Sequence, residues 1–280
     1  MNSLRTVALL TLLTLILVWV GGLVGGRQGM IIALVIGLGL NLFNFFFSSK
    51  IILKAYGARI LEPGELQWLQ DDIRDMTERA GLPMPKVAYI PKSAPNAFAT
   101  GRSPQRAVVA VTQGALDVLD RRQLRAVMGH ELAHVKHRDM LTMTVVAGVV
   151  SAIGFLAMMA RWGAIFGGGD DDANPLALIA IAIFAPLMAA LVQFAISRSR
   201  EYAADAGGAT FSEDPAALAD ALEALHRNIP RAAPLSTSGS TAHLMIANPF
   251  FGMKVGRLFS THPDPKERIR RLREMAAGHR

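Results

Sequence analysis

Two histidines four residues apart, His130 and His134, sit in the run His130-Glu131-Leu132-Ala133-His134. On a helix, that spacing puts both imidazoles on one face, one turn apart, where they can share a metal ion. Glu131 follows the first histidine and can hold a water bound to the same ion, the arrangement of zinc-dependent peptide hydrolysis. A catalytic zinc keeps three protein ligands and one open position, so a third ligand must come from elsewhere. A third histidine six residues beyond His134 is excluded, because that position is Met140. His137 is three residues from His134, lies on a neighbouring face and reads as a surface histidine. Glu201, in Ser199-Arg200-Glu201-Tyr202-Ala203-Ala204-Asp205, is the better candidate. Asp205 is four residues further on the same helix face and can accept the second ring N–H of a ligand histidine, fixing its tautomer. The expected cofactor is one zinc ion per chain, although histidine and carboxylate donors also suit other divalent ions.

The chain has no cysteine, which excludes disulfides, thiolate zinc sites, iron–sulfur clusters and a cysteine nucleophile. A helix is expected to begin at about Arg121, with Leu124, Val127, Met128, Leu132 and Val135 at helical spacing. Its charged flanks, Asp120-Arg121-Arg122-Gln123 and Lys136-His137-Arg138-Asp139, argue against a metal held in mid-bilayer. Upstream, Pro63 marks a helix start, Leu66, Leu69, Ile73, Met76 and Ala80 recur at helical spacing, and Gly81 ends the run. Residues 86–90, 96–101 and 107–112 read as strands, the last being rich in valine. Residues 201–227 are alanine-rich and helical, 229–241 form a looser segment, and 265–275 form a short charged helix. Arg268, Arg270, Arg271 and Arg273 on that last helix read as a solvated face, and His226, His243 and His279 as solvent-facing.

Of 280 residues, 51% are hydrophobic and only 18% charged, against roughly a quarter charged in an ordinary soluble domain. That excludes a disordered chain and argues against a soluble enzyme. The net charge is +7, which at this hydrophobicity points to anionic lipid. No nucleic-acid module or interleaving of basic and aromatic residues is present. Four apolar blocks, at about 7–24, 30–47, 140–162 and 175–196, are each long enough to cross a hydrocarbon core as a helix. They lack the buried ligands a metal transporter needs. The first two are expected to form a transmembrane hairpin turned by Gly25-Gly26-Arg27-Gln28-Gly29, rather than a cleaved signal peptide. Lys50, Lys54 and Arg59 follow the second block, and Arg198 and Arg200 follow the fourth. The connection Gly167-Gly168-Gly169-Asp170-Asp171-Asp172 carries no basic residue. Both hairpins are therefore expected to turn outside, with the polar segments in the cytoplasm. For the second hairpin the alternative is one that leans on the polar domain or enters lipid only partway. The expected fold class is α+β: a helical integral membrane protein with two transmembrane hairpins and a cytoplasmic zincin-type, gluzincin-like metalloprotease domain, mostly helical with a small sheet. Expected boundaries are 1–48 for the first hairpin, 49–139 for the first part of the protease domain, 140–197 for the second hairpin and 198–280 for the remainder.

Four motifs in order, Asn96-Ala97-Phe98-Ala99-Thr100-Gly101, His130-Glu131-x-x-His134, Arg200-Glu201-Tyr202-x-Ala204-Asp205 and Ser260-Thr261-His262-Pro263, resemble those of the HtpX proteins. These are membrane-bound zinc metalloendopeptidases of bacteria and archaea, related to the eukaryotic CAAX prenyl endopeptidase. The resemblance covers almost the whole chain. It departs at Pro263-Asp264-Pro265, where the family often has two adjacent prolines. The resemblance implies a multi-pass protein of the bacterial inner membrane that degrades damaged or misassembled membrane proteins on the cytoplasmic side, within quality control and the stress response. The implied partners are unfolded protein substrates and the lipid bilayer, with the oligomeric state left open. Asn96, Ala97, Phe98 and Ala99 are then the edge strand that binds substrate backbone by strand addition. Glu131 is the general base, with His130, His134 and Glu201 on the zinc. His262 is the candidate for stabilising the oxyanion or for a regulatory fourth ligand, with Tyr202 and Arg198 as weaker candidates. A catalytically inactive metal-binding membrane sensor or scaffold is the alternative function, but such a site has no need of Glu131.

Overall fold

The structure, a computed structural model, describes residues 2–166, 175–228 and 264–278. In chain order its helices are α1 (Asn2–Ala55), α2 (Gln67–Ala80), α3 (Gln113–Val118), α4 (Arg121–Lys136), α5 (Asp139–Phe166), α6 (Pro175–Ser212), α7 (Pro215–Asn228) and α8 (Pro265–Ala276). The strands are β1 (Arg59–Ile60), β2 (Lys86–Ile90), β3 (Ala97–Thr100) and β4 (Val108–Thr112). The chain divides into two compact units: Met1–Phe46 with Thr142–Ile196, and Phe47–Leu141 with Ser197–Arg280.

In the first unit, α1 is broken at Gly25 and Gly26, and Gly26 adopts φ 54°, ψ −143°, a conformation open essentially to glycine. The chain doubles back there, and its two arms touch along small residues. A Cβ on Gly29 would stand 2.1 Å from the Gly21 carbonyl oxygen, and one on Gly37 would stand 2.9 Å from Leu17. Leu17, Val20 and Ala33 bury against Val146, Ile153 and Leu156 of α5 and Ala185 and Ala189 of α6. The outward side chains are also apolar: Leu15, Trp19, Val35, Leu38, Ile183 and Phe184 are each 60% or more exposed. Among the described residues no helix is long and apolar enough to cross a membrane, so the four spans expected from the sequence are not found in that form.

The second unit is built on a mixed four-stranded sheet of order β1-β2-β4-β3. β2 and β4 are parallel, while β1 and β3 pair antiparallel at either side. Both faces are covered, which is why β4 reads as an unbroken apolar run. Val87, Val109, Val111, Ala97 and Ala99 face a core formed with α2, α4, α7, α8 and the end of α6. Ala88, Ile90, Ala110 and Phe98 face the other way, against Ile52 and Leu53 at the end of α1 and Tyr56 just after it. α2 begins at Gln67, four residues later than the sequence suggests. Gly64, at φ 93°, makes a turn that Glu65 holds by accepting from Arg59 and from the Glu62 backbone N–H. Gly81 closes the helix in the left-handed region as expected. The expected helix over 201–227 is two helices. Glu213 takes φ 59°, Pro215 starts α7, and the Asp214 carboxylate accepts from the Ala217 N–H at 2.9 Å.

Candidate active site

α4 opens with a capping box: Asp120 accepts from the Gln123 N–H, and the Gln123 side chain accepts from the Asp120 N–H. The helix then runs through the core, so His130 and Glu131 are buried deep in its third turn. α6 crosses α4 at backbone contact. A Cβ on Gly208 would lie 2.6 Å from the His130 nitrogen, and one on Gly129 would lie 2.9 Å from the Gly208 carbonyl oxygen. That close approach, with Glu201, Asp205 and Gly208 at helical spacing, carries two carboxylates onto the histidines.

One donor atom from each of His130, His134 and Glu201 lies within 4.8 Å of the others. The two Nε2 atoms are 3.1 Å apart, and Glu201 oxygens lie 3.7 Å from His130 Nε2 and 3.6 Å from His134 Nε2. The edge of a tetrahedron around zinc with Zn–N of 2.0–2.1 Å is about 3.3–3.4 Å, close to all three separations. The opposite ring nitrogens face carboxylates. His130 Nδ1 is 3.0 Å from Asp205, and His134 Nδ1 is 2.7 Å from Asp139. With both Nδ1 atoms turned toward carboxylates, the two Nε2 atoms face one another, an arrangement that suits a cation between them.

Charge leads to the same conclusion. Glu131, Glu201, Asp205 and Asp139 are all buried. Arg268 of α8, 2% exposed, donates to both Asp205 oxygens at 2.8 and 2.7 Å and approaches Glu201 at 3.3 Å. Arg200 pairs with Asp139. With the histidines neutral, as metal ligands must be, and the carboxylates ionised, four carboxylates against two guanidiniums leave two negative charges, which a divalent cation balances. Burial works against the charged form of His134, but Asp139, Glu201 and Glu131 outweigh it and hold its pKa up to about 9. The same field favours a metal cation there. Burial opposes ionisation of Asp205, but Arg268 and His130 prevail and bring it down to about 2. Burial raises the Glu131 pKa against the pull of the two histidines and of the Ala99 N–H, with Glu201 adding to the rise. A carboxyl raised in this way is suited to exchange a proton.

β3 lies at the sheet edge and holds Ala97, Phe98 and Ala99, with Asn96 just before it. The Thr112 N–H donates to the Asn96 carbonyl, so alternate residues 96, 98 and 100 face β4 while Ala97 and Ala99 face away. The Ala99 N–H donates to Glu131 Oε2 at 2.8 Å. Asn96 and all four residues of β3 are nonetheless buried. His137 is exposed, as expected. Arg198 is exposed, and Arg271 lies 4.0 Å over the Tyr202 ring. His226 is half-buried rather than in solvent. His262 lies outside the described residues, as do His243, His279 and residues 229–241.

Sequence reasoning missed two groups. Arg268, expected on a solvated face, is among the most buried side chains of the chain. Its partner Asp205 is 63 residues away, so no local pattern marks it. In the sequence Asp139 reads only as a charged flank, yet its carboxylate meets a ligand histidine.

An HExxH helix crossed by a second helix that brings a glutamate to the histidines defines a helical metallopeptidase, a hydrolase of peptide bonds. The chain belongs to peptidase family M48, whose model matches residues 63–276, among proteins named protease HtpX homolog. One such relative, from Syntrophotalea carbinolica, is 50% identical over 98% of this chain and 99% of its own length. Another, from Ralstonia pickettii, is 48% identical over 98% of this chain and 97% of its own. The fold is also similar to the crystal structure of S. mikatae Ste24p, with a TM-score of 0.54 at 18% identity. The match covers 84% of this chain and 56% of that one.

Proposed function

We propose that the chain is a membrane-embedded zinc endopeptidase that cleaves unfolded or misassembled proteins, membrane proteins among them, on the cytoplasmic face of a bacterial inner membrane. The observation that carries the reading is the convergence of His130, His134 and Glu201 with Glu131 beside them. When bound at the three ligands, zinc supplies Lewis acidity toward a water and a scissile carbonyl. Glu131 takes the proton of the attacking water and passes it to the leaving amine. The Ala99 N–H holds the Glu131 carboxylate in place for this at 2.8 Å. Asp205 and Arg268 hold His130 and Glu201 in their orientation. His262 is the proposed donor to the oxyanion.

β3, at the sheet edge, is the proposed site for an added substrate strand. A folded protein has few unpaired extended segments to offer such an edge, which favours unfolded substrates. The membrane placement is supported by the apolar outer surface of the first unit, since large exposed apolar patches mark membrane or protein contact sites. The lysine and arginine placement supports the cytoplasmic side. The test is reconstitution of the full chain with zinc in liposomes, beside a stable membrane protein and a destabilised variant of it. Cleavage of the destabilised variant alone is expected. Equal cleavage of both, or of neither with zinc bound, contradicts the reading.

A further inference from the structure

His134 and Asp139 are five residues apart, and on a continuous helix they would point well away from each other. Their contact exists because the chain breaks between α4 and α5. Arg138 takes φ 54°, a left-handed conformation that costs a non-glycine residue on the order of 1 kcal/mol. The bend folds Asp139 back so that its Oδ2 meets His134 Nδ1 at 2.7 Å. Its other oxygen pairs with Arg200, whose guanidinium also donates to the His137 carbonyl at 3.3 Å. Arg200 immediately precedes Glu201. One buried carboxylate therefore touches a histidine ligand on α4 and the residue next to the glutamate ligand on α6.

We infer that Asp139, itself held by Arg200, is a positioning residue for the metal: it fixes the tautomer and ring angle of His134 and the spacing between His134 and Glu201. It serves His134 as the pair Asp205 and Arg268 serves His130, so each histidine has its own carboxylate–guanidinium support. The inference rests on the metal reading of His130, His134 and Glu201. A carboxylate behind a ligand histidine makes the imidazole a stronger donor and prevents its rotation, and losing one lowers metal affinity by about 10–100-fold.

The test is zinc affinity of the full-length protein in detergent, measured by competition with a chromophoric chelator, together with the visible spectrum of the cobalt-substituted protein. Asp139→Ala is expected to weaken zinc binding by about 10–100-fold and to alter the cobalt spectrum. Asp139→Glu, which keeps the charge, should recover most of the loss. Arg200→Met should show a smaller loss in the same direction. His134→Ala is the reference and should abolish tight binding. If His134→Ala abolishes binding while Asp139→Ala leaves affinity and spectrum as in wild type, the inference is overturned and the metal site stands. If His134→Ala itself binds zinc as wild type does, the metal site fails and the inference with it. Should Asp139→Ala not fold, Asp139→Leu carries the same test, because it keeps the bulk and removes the acceptor that faces His134 Nδ1. Wild-type affinity and spectrum in that variant overturn the inference equally.

Discussion

Replacing Arg268 by methionine removes the cation that holds two buried carboxylates. The guanidinium makes a bidentate pair with Asp205 at 2.8 and 2.7 Å, stands 3.3 Å from Glu201 and is 2% exposed. Methionine fills most of the volume, so the effect is electrostatic rather than a cavity. Breaking a buried pair by removing one partner costs ~3–5 kcal/mol, and at about 2–4 °C per kcal/mol for a chain of this size the midpoint should fall by roughly 6–20 °C. The assay is thermal unfolding of the detergent-purified protein at saturating zinc, for wild type, Arg268→Met, Asp205→Asn and the double variant. The double variant should recover part of the loss, because Asp205→Asn removes one of the stranded charges while keeping the size of the side chain beside His130. A midpoint for Arg268→Met within about 2 °C of wild type would refute the buried-pair account and return Arg268 to a solvated face.

Gly208→Val places side-chain carbon where the His130 backbone stands 2.6 Å from a Cβ. It should push α6 off α4 and abolish tight zinc binding, as read by chelator competition, even if the protein stays folded. Asp120→Ala removes the α4 capping box and should cost ~1 kcal/mol in the same unfolding assay, with zinc stoichiometry unchanged. Arg122, by hydrogen bonding and charge, holds the Asp214 and Asp220 carboxyls below their ordinary range. A depressed carboxyl contributes stability above its unfolded pKa and loses it as pH falls through the folded one. The difference in midpoint between wild type and Arg122→Met should therefore be full at about pH 5 and shrink as pH falls toward 2. These groups are partly exposed, so the full difference should stay below about 1 kcal/mol. A gap that stays constant across that range would contradict the assignment.

The parts of this protein that were legible in the sequence are those with a local period or a short spacing. His130 and His134 announce themselves because four residues is one helical turn, and Glu201 because a hydrophobic pair of blocks separates it from them. β2 and β4 are visible as short apolar runs bounded by prolines or rich in valine. The two-residue β1 and the six-residue α3 carry too few residues for any pattern. The break at Glu213 was lost because alanine-rich sequence on both sides reads as one helix. Arg268 reads as exposed because α8 alternates charges in the manner of a surface helix, with Glu267 bonded to Arg270 and Arg271 in solvent. Only the three-dimensional return of α8 to α6 separates that one arginine from its neighbours.

The most direct test of the central claim is degradation of an unfolded model protein by the detergent-purified chain with zinc restored, wild type beside Glu131→Gln, with bound zinc measured in both. Glutamine keeps the size of Glu131 and its bond to the Ala99 N–H. Cleavage by wild type alone, at equal zinc content, is the expected result. Cleavage retained by Glu131→Gln at equal zinc content would contradict the mechanism, because the proton would then be moving through another group.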